Sequence, residues 1–353
     1  MNRKFVPPIV HFAALALFFA LTLGAAADRG PVAGGTSALR LAPATSGMAP
    51  AARSAPPASR PSASPSSSRV APLADAPRQY VISQAAAGDP LLDAKWTELE
   101  KDIRRSLLNF QGELGLVIKD FRTGRTILRD PDRPFPSASM VKVPIMAACL
   151  KAVEEGQITL DEVLRLKRTD KVRGSGILRA APAGTPVTVE KLLVLMITDS
   201  DNTAANMLID LLGFDYIGQA FRDFGLERTN LSRKMMDFRS RANGIENYTT
   251  PRDMADILEK IYRGTCVSPY VAEKCLTVLK EQKVNDRIPR YLPRKTPIAH
   301  KTGLENRVCH DAGVVFTEHG DVLICVLTEG NTGAIIAKRM IARIAARVYK
   351  LYK

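Results

Sequence analysis

Histidine is sparse in this chain, four residues in 353, and beyond the first segment only His300, His310 and His319 remain. No pair of them has metal-ligand spacing, so no metal site is expected, and nothing implies a cofactor. His300 and His310 read as structural strand residues. Aromatic residues amount to 6% with a single tryptophan, and the 50 lysines and arginines are scattered rather than clustered. The net charge of +14 permits contact with anionic material, but no nucleic-acid-binding motif accompanies it, and that class is set aside. A Gly-x-Ser-x-Gly elbow is missing, and so is a glycine-rich phosphate loop, which leaves a Ser-His-Asp triad and a nucleotide site without support. The longest apolar run, residues 9–23, falls short of the about 20 residues that span a bilayer, so no stable membrane span is expected.

The cysteines are few and odd in number. Cys149, Cys266, Cys275, Cys309 and Cys325 leave at least one thiol unpaired in a monomer, the state expected here. Cys266 with Cys275, or Cys309 with Cys325, could bridge in an oxidising compartment, while Cys149 reads as core.

What is present divides the chain in three. Asn2-Arg3-Lys4, the apolar run and Ala25-Ala26-Ala27 form the basic, hydrophobic and small-residue parts of a signal peptide over residues 1–27, which predicts export to the periplasm or beyond. Residues 28–89 are rich in Ala, Pro and Ser, with isolated Arg53, Arg60 and Arg69; they read as a disordered linker that could tether the protein at the cell envelope. The remainder, residues 90–353, has the composition of a folded domain, in a chain with 46% hydrophobic residues.

Within that domain the apolar spacing predicts a helix over 91–110, through Leu92, Trp96, Leu99, Ile103 and Leu107. Short β-type runs follow at 115–120 and 125–129, turned at Arg122-Thr123-Gly124. From Ser139 to about residue 284 the pattern is helical, with a buried helix over 187–196 and amphipathic helices over 214–224 and 251–263. Thr250 and Pro251 open the last of these as cap and first-turn proline. The period then changes to that of three strands, 297–302, 308–317 and 321–328, before a final helix over 333–352. That helix carries Ile336, Met340, Ile341, Ile344, Val348 and Leu351 on one side and is expected to pack on the sheet rather than on a membrane.

Three short motifs carry the chemistry. Ser139-Met140-Val141-Lys142 sets a hydroxyl and an amine three residues apart on one helical face, where a desolvated, neutral lysine can take the serine proton. The first-turn N–H groups would favour the negative charge that forms when a carbonyl is attacked. Ser200-Asp201-Asn202 lies between two helical segments, and Lys301-Thr302-Gly303 lies on the first late strand.

In this order and on these elements, the three motifs resemble those of the class A β-lactamases and the related penicillin-binding proteins. The likeness implies an α+β fold: a five-stranded antiparallel sheet flanked by helices, with an all-helical subdomain inserted between the second and third strands, about residues 139–284. It implies that Ser139 is acylated, that Lys142 helps deprotonate it, and that Ser200 relays a proton to the leaving nitrogen. Asn202 would hold the substrate's amide, Lys301, Thr302 and Gly303 its carboxylate side, and the N–H groups of Ser139 and Leu304 the oxyanion. The implied partner is a small β-lactam or a cell-wall peptide. Two departures stand out. Where the family places the glutamate of an Arg-x-Glu pattern, this chain has Arg233-Lys234-Met235, and a thioether cannot activate water. Asp237 and Glu246 are the nearby carboxylates, each also suited to a salt bridge with Arg233 or Arg241. The fourth strand lacks the arginine common in the family, for which Arg307 is the candidate substitute. The expected activity is therefore that of a β-lactamase-like serine hydrolase, with a penicillin-binding-type D,D-peptidase or esterase, or a slowly deacylating β-lactam receptor, as the alternative.

Overall fold

The sheet is assembled from both ends of the folded chain. The computed structural model describes residues 80–83 and 90–353; the signal peptide and nearly all of the linker expected before them lie outside the described residues. Strand β1 (Tyr80–Ser83) is followed by helix α1 (Pro90–Leu107) and by the hairpin β2 (Glu113–Asp120) and β3 (Thr126–Arg129). The insert then runs through β4 (Phe135–Pro136), α2 (Lys142–Glu154), β5 (Val163–Arg165), β6 (Pro186–Thr188), α3 (Val189–Thr198), α4 (Asn202–Leu212) and α5 (Phe214–Asp223). It continues through α6 (Phe238–Ala242), β7 (Tyr248–Thr249), α7 (Pro251–Tyr262) and α8 (Pro269–Lys280). The chain returns to the sheet as β8 (Ile298–Glu305), β9 (Val308–Val315) and β10 (Val322–Glu329), and ends in α9 (Ala334–Tyr349).

The strand order is β1-β3-β2-β10-β9-β8, antiparallel throughout. The five strands expected from the pattern are present, and β1 adds a sixth at the edge. Tyr-Val-Ile-Ser is a β-forming run, and it pairs with β3 inside the stretch read as linker, so the linker reading fails at that point. The insert is not wholly helical either. Two short ribbons, β4 with β7 and β5 with β6, tie its loops together.

Alternation along the strands sends successive side chains to opposite faces. Leu116, Ile118, Ile324 and Val326 face α1 and α9, meeting Trp96, Ile103, Ile341, Ile344 and Val348. Val117, Leu323, Cys325 and Leu327 face the insert, meeting Met254, Ile257 and Ile261. Met340, Ile341, Ile344 and Val348 of α9 are thus buried on the sheet, as their spacing predicts, whereas Ile336, expected on the same side, is exposed in the helix's first turn. The amphipathic α7 begins as expected, with the Thr250 hydroxyl accepting the Asp253 N–H at 3.1 Å and Pro251 in the first turn. All five cysteines are buried and unbridged, so neither conceivable disulfide is formed; each thiol serves as a small apolar core group.

Candidate active site

Ser139 stands in a 3-10 turn, Ala138–Val141, that leads directly into α2. Ala138 adopts a left-handed φ of 46°, which costs about 1–2 kcal/mol for a residue bearing a Cβ. Neighbouring bonds hold that strain in place. The Ser137 N–H donates to Asn247 O at 2.7 Å. Pro136 O accepts from His310 Nε2 at 2.8 Å, and His310 Nδ1 in turn accepts the Thr328 N–H at 3.0 Å. Because Nδ1 is an acceptor, the ring proton sits on Nε2. Burial pushes the His310 pKa down to about 4, so the ring stays neutral near pH 7. The turn lies close against β8. A Cβ on Gly303 would come within 3.1 Å of His310 Cδ2 and 3.2 Å of Met140 Cγ, so the glycine permits the contact.

The three motifs converge on one hydroxyl. Lys142 Nζ donates to Ser200 O at 2.7 Å, to Asn202 Oδ1 at 2.7 Å and to Ser200 Oγ at 3.3 Å. From the opposite side, Lys301 Nζ donates to Ser200 Oγ at 2.9 Å and to Thr302 O at 2.8 Å. Both lysines are fully buried. Burial lowers the Lys142 pKa to about 7, against the opposing pull of Asp201 and Glu305. It drives that of Lys301 well below its usual range, aided by the charges of Lys142 and Arg287 and opposed by Asp311. A neutral Lys142 spends its two protons on the carbonyl oxygens of Ser200 and Asn202, which only accept, and keeps a lone pair for a hydroxyl proton. Ser200 Oγ accepts from Lys301, which leaves its own proton free to donate.

Ser139 is half-buried, the most open member of the group. Its hydroxyl forms no hydrogen bond among the described residues, so the Ser139–Lys142 bond expected from their spacing is not made. The amine is turned instead towards Ser200 and Asn202, whose acceptors lie at 2.7 Å. Catalytic bonds that tighten only when substrate arrives are common in ligand-free sites.

Ser200 itself has a φ of 53°, a second strained position. Asp201 holds it there. One oxygen caps α4 through the Ala204 N–H at 3.0 Å, and the other accepts from the Ile177 and Leu178 N–H groups at 2.7 and 2.9 Å. The strap containing Ile177 lies so close that a Cβ on Gly176, at φ 113°, would be 2.2 Å from Asp201 Cγ. Asn202 is tied to the same strap, its N–H to Ser175 O at 3.1 Å and its Nδ2 to Arg173 O at 3.2 Å. Thr302 and Gly303 follow Lys301 on β8, opposite Asp311 and His310, and Leu304 is exposed at the strand's far end.

The loop after α5 differs from a water-activating one. Arg233 is buried against Glu246 (Nε–Oε1 2.7 Å), which also pairs with Arg241 (2.9 Å); Arg241 reaches Glu305 at 2.7 Å. Asp237 caps α6, accepting the Ser240 N–H at 3.0 Å and the Ser240 hydroxyl at 2.6 Å. Both carboxylates therefore take the salt-bridge or capping role. Met235 is buried in the core, with its N–H and C=O bonded to Asn206 at 2.8 and 3.1 Å. The sulfur beside Asn202 belongs to the next residue: a Cβ on Gly174 would be 2.6 Å from Asn202 Nδ2 and 3.1 Å from Met236 Sδ. Met236 holds a φ of 67°, and sequence spacing does not reveal which of two adjacent methionines a strained loop turns inward. Arg307, the expected substitute cation, is exposed and donates to Gly330 O at 3.2 Å, with no bond to Ser200 or Lys301 among the described residues. His310 was legible only as a strand residue, because its tie to Pro136 depends on strand register across 174 positions.

Residues 98–352 match the family described as the β-lactamase enzyme family. Among solved structures, a β-lactamase from Sphaerobacter thermophilus is 32% identical with a TM-score of 0.68, over 73% of this chain and 97% of that one. PBP-A, solved in one variant as an acyl-enzyme complex with penicillin G, is 30% identical with a TM-score of 0.67, over 72% and 96%. A β-lactamase of Streptomyces lavendulae is 27% identical over 258 residues, 69% of this chain and 85% of its own.

Proposed function

This chain belongs to the β-lactamase enzyme family, and on that premise we propose that it is an exported serine hydrolase that acylates Ser139 with β-lactams and releases the product slowly. The observation that carries this reading is the chain Lys142–Ser200–Lys301, in which the amine of Lys142 has a pKa of about 7. Neutral Lys142 takes the Ser139 proton as Oγ attacks the lactam carbonyl. The oxyanion is met by the N–H groups of Ser139 and Leu304. Ser200 passes its proton to the departing ring nitrogen and is resupplied from Lys142, which leaves an ester on Ser139 and an amine in the opened ring. Lys301 and Thr302 hold the substrate carboxylate, and Asn202 its amide.

Deacylation is the slow half. Glu246 and Asp237 are engaged with Arg241 and Ser240, and thioethers stand at Met235 and Met236, so Lys142 is the remaining base for water. Loss of a dedicated general base costs about a hundredfold to ten-thousandfold in the step it serves. That deficit supports a second reading, a penicillin-binding peptidase or esterase whose natural substrate is a cell-wall peptide; the likeness to PBP-A favours it to the same degree. The test pairs a fluorescent penicillin with a chromogenic cephalosporin. Steady colour release supports the lactamase, a stable label without turnover supports the penicillin-binding reading, and absence of both overturns acylation of Ser139 by β-lactams.

A further inference from the structure

The outward face of α9 carries a stripe of cations that the fold does not use. The helix, Ala334–Tyr349, contains no acidic residue. Its inward side is buried on the sheet, and Arg339, Arg343, Arg347 and Lys350 succeed one another at three- and four-residue spacing along the other side, Arg347 half-buried and the other three exposed. None of these four forms an ion pair among the described residues, whereas Lys338 on the flank is bound to Asp286 at 2.7 Å. The carboxylates of α1 alongside are already taken: Glu100 by Arg104, and Glu98 and Asp102 by Arg105.

A second element widens the patch. The short turn Ile288–Tyr291 packs against α9, with Ile288 in the core cluster that holds Ile341 and Ile344. Arg290 and the following Arg294 and Lys295 are all exposed, and the Arg290 guanidinium lies over the Tyr291 ring at 5.5 Å. Apolar groups interrupt the charge. Ile335 and Ile336, at the start of the same helix, are 65% and 58% exposed, and Tyr291 is 47% exposed.

From this arrangement we propose that the face formed by α9 and residues 290–295 docks on the anionic surface of a lipid bilayer. Arginines and lysines supply the attraction to anionic headgroups. Isoleucines and a tyrosine are the groups that enter the boundary between headgroups and acyl chains, which a soluble polyanion would give nothing to bury in. The geometry also spares the cleft. Lys301 and the Ser139 turn lie on the insert side of the sheet and α9 on the other, so a docked molecule keeps its active site open.

The test measures co-sedimentation of the full chain with phosphatidylcholine vesicles, with and without phosphatidylglycerol. Each basic residue near such a surface multiplies partitioning about fivefold, so the triple variant Arg339→Gln, Arg343→Gln, Arg347→Gln is expected to lose about a hundredfold on anionic vesicles. Its partitioning on neutral vesicles and its acylation by penicillin should match the parent chain. The double variant Ile335→Ser, Ile336→Ser is expected to lose about tenfold. Unchanged anionic-vesicle binding in the triple variant overturns the proposal. So does full binding by the double variant together with complete displacement by soluble polyphosphate, which would assign the face to a polymer instead.

Discussion

Lys301 donates to Ser200 Oγ at 2.9 Å across 101 positions of sequence, and it does so as a fully buried amine. Burial of this kind is costly, and the residue is held in the site against that cost. Lys301→Met is therefore expected to move activity and stability in opposite directions. Acylation by penicillin should fall a hundredfold or more, because Ser200 loses the donor that orients its proton. The urea midpoint should rise, because a desolvated amine whose charged form is disfavoured by burial and by Lys142 and Arg287 is replaced by an apolar chain of similar size. A midpoint that falls along with activity would mean that Lys301 is mainly a structural tie.

The amine of Lys142 should set the acid limb of the acylation profile. With its pKa lowered to about 7, the neutral base accumulates as pH rises, and the second-order rate of penicillin labelling should climb through a midpoint near that value. Lys142→Arg, charged throughout, should lose both the rate and the limb. The stability consequence has a definite sign. The unfolded chain binds this proton up to about pH 10.5 and the folded chain releases it near 7, so stability contributed at this site rises with pH across that interval and is lost as pH falls through it.

The two methionines should respond differently to a carboxylate. Met236→Glu sets an acid beside Asn202 on a partly open wall, and the half-life of the penicillin-labelled enzyme should shorten by at least tenfold, as a restored general base would make it. Met235→Glu inserts the acid into the core and should chiefly lower the melting temperature. Intact-mass decay of the acyl adduct measures the first and calorimetry the second; the reverse assignment would show that the loop presents Met235 to the cleft.

His310 should behave as a clamp on the Ser139 turn. His310→Gln keeps a donor for Pro136 O and should retain most of the acylation rate, while His310→Ala should lower it by at least tenfold with little change in the concentration dependence of labelling. Because the folded ring has a pKa of about 4 against 6.5 unfolded, its contribution to stability is complete above 6.5 and declines as pH falls towards 4. Urea unfolding in that window should show a slope that His310→Gln lacks.

The legible parts of this molecule were those whose physics is local. Helix α7 announces itself through Thr250, Pro251 and a 3.6-residue period, and β8 to β10 through runs that alternate or stay apolar. The motif residues Lys142, Ser200, Asn202 and Lys301 were legible as a set and do meet. What stayed hidden depends on register and on loops. Neither the bond from His310 to Pro136 nor the inward turn of Met236 follows from spacing. The Arg233–Glu246–Arg241–Glu305 network needs a loop folded against the end of β8. The edge strand Tyr80–Ser83 was masked by the composition of its surroundings, since a four-residue β-forming run in an Ala/Pro/Ser-rich stretch gains a partner only when β3 is already in place.

The pairing of β2 with β10 aligns Glu113 with Glu329, and every residue of the insert lies between them. Loop-closure entropy must be met before that contact yields anything, which makes the central pairing of the sheet a late event in folding. A nascent chain that has emerged only as far as the Ser-Asp-Asn motif has Ser139 and Lys142 but no β8 against which to seat their turn. Synthesis must reach the tenth strand before the molecule can commit to its architecture, and a chain stopped short of it is left with an open sheet edge and no hydrolytic capacity.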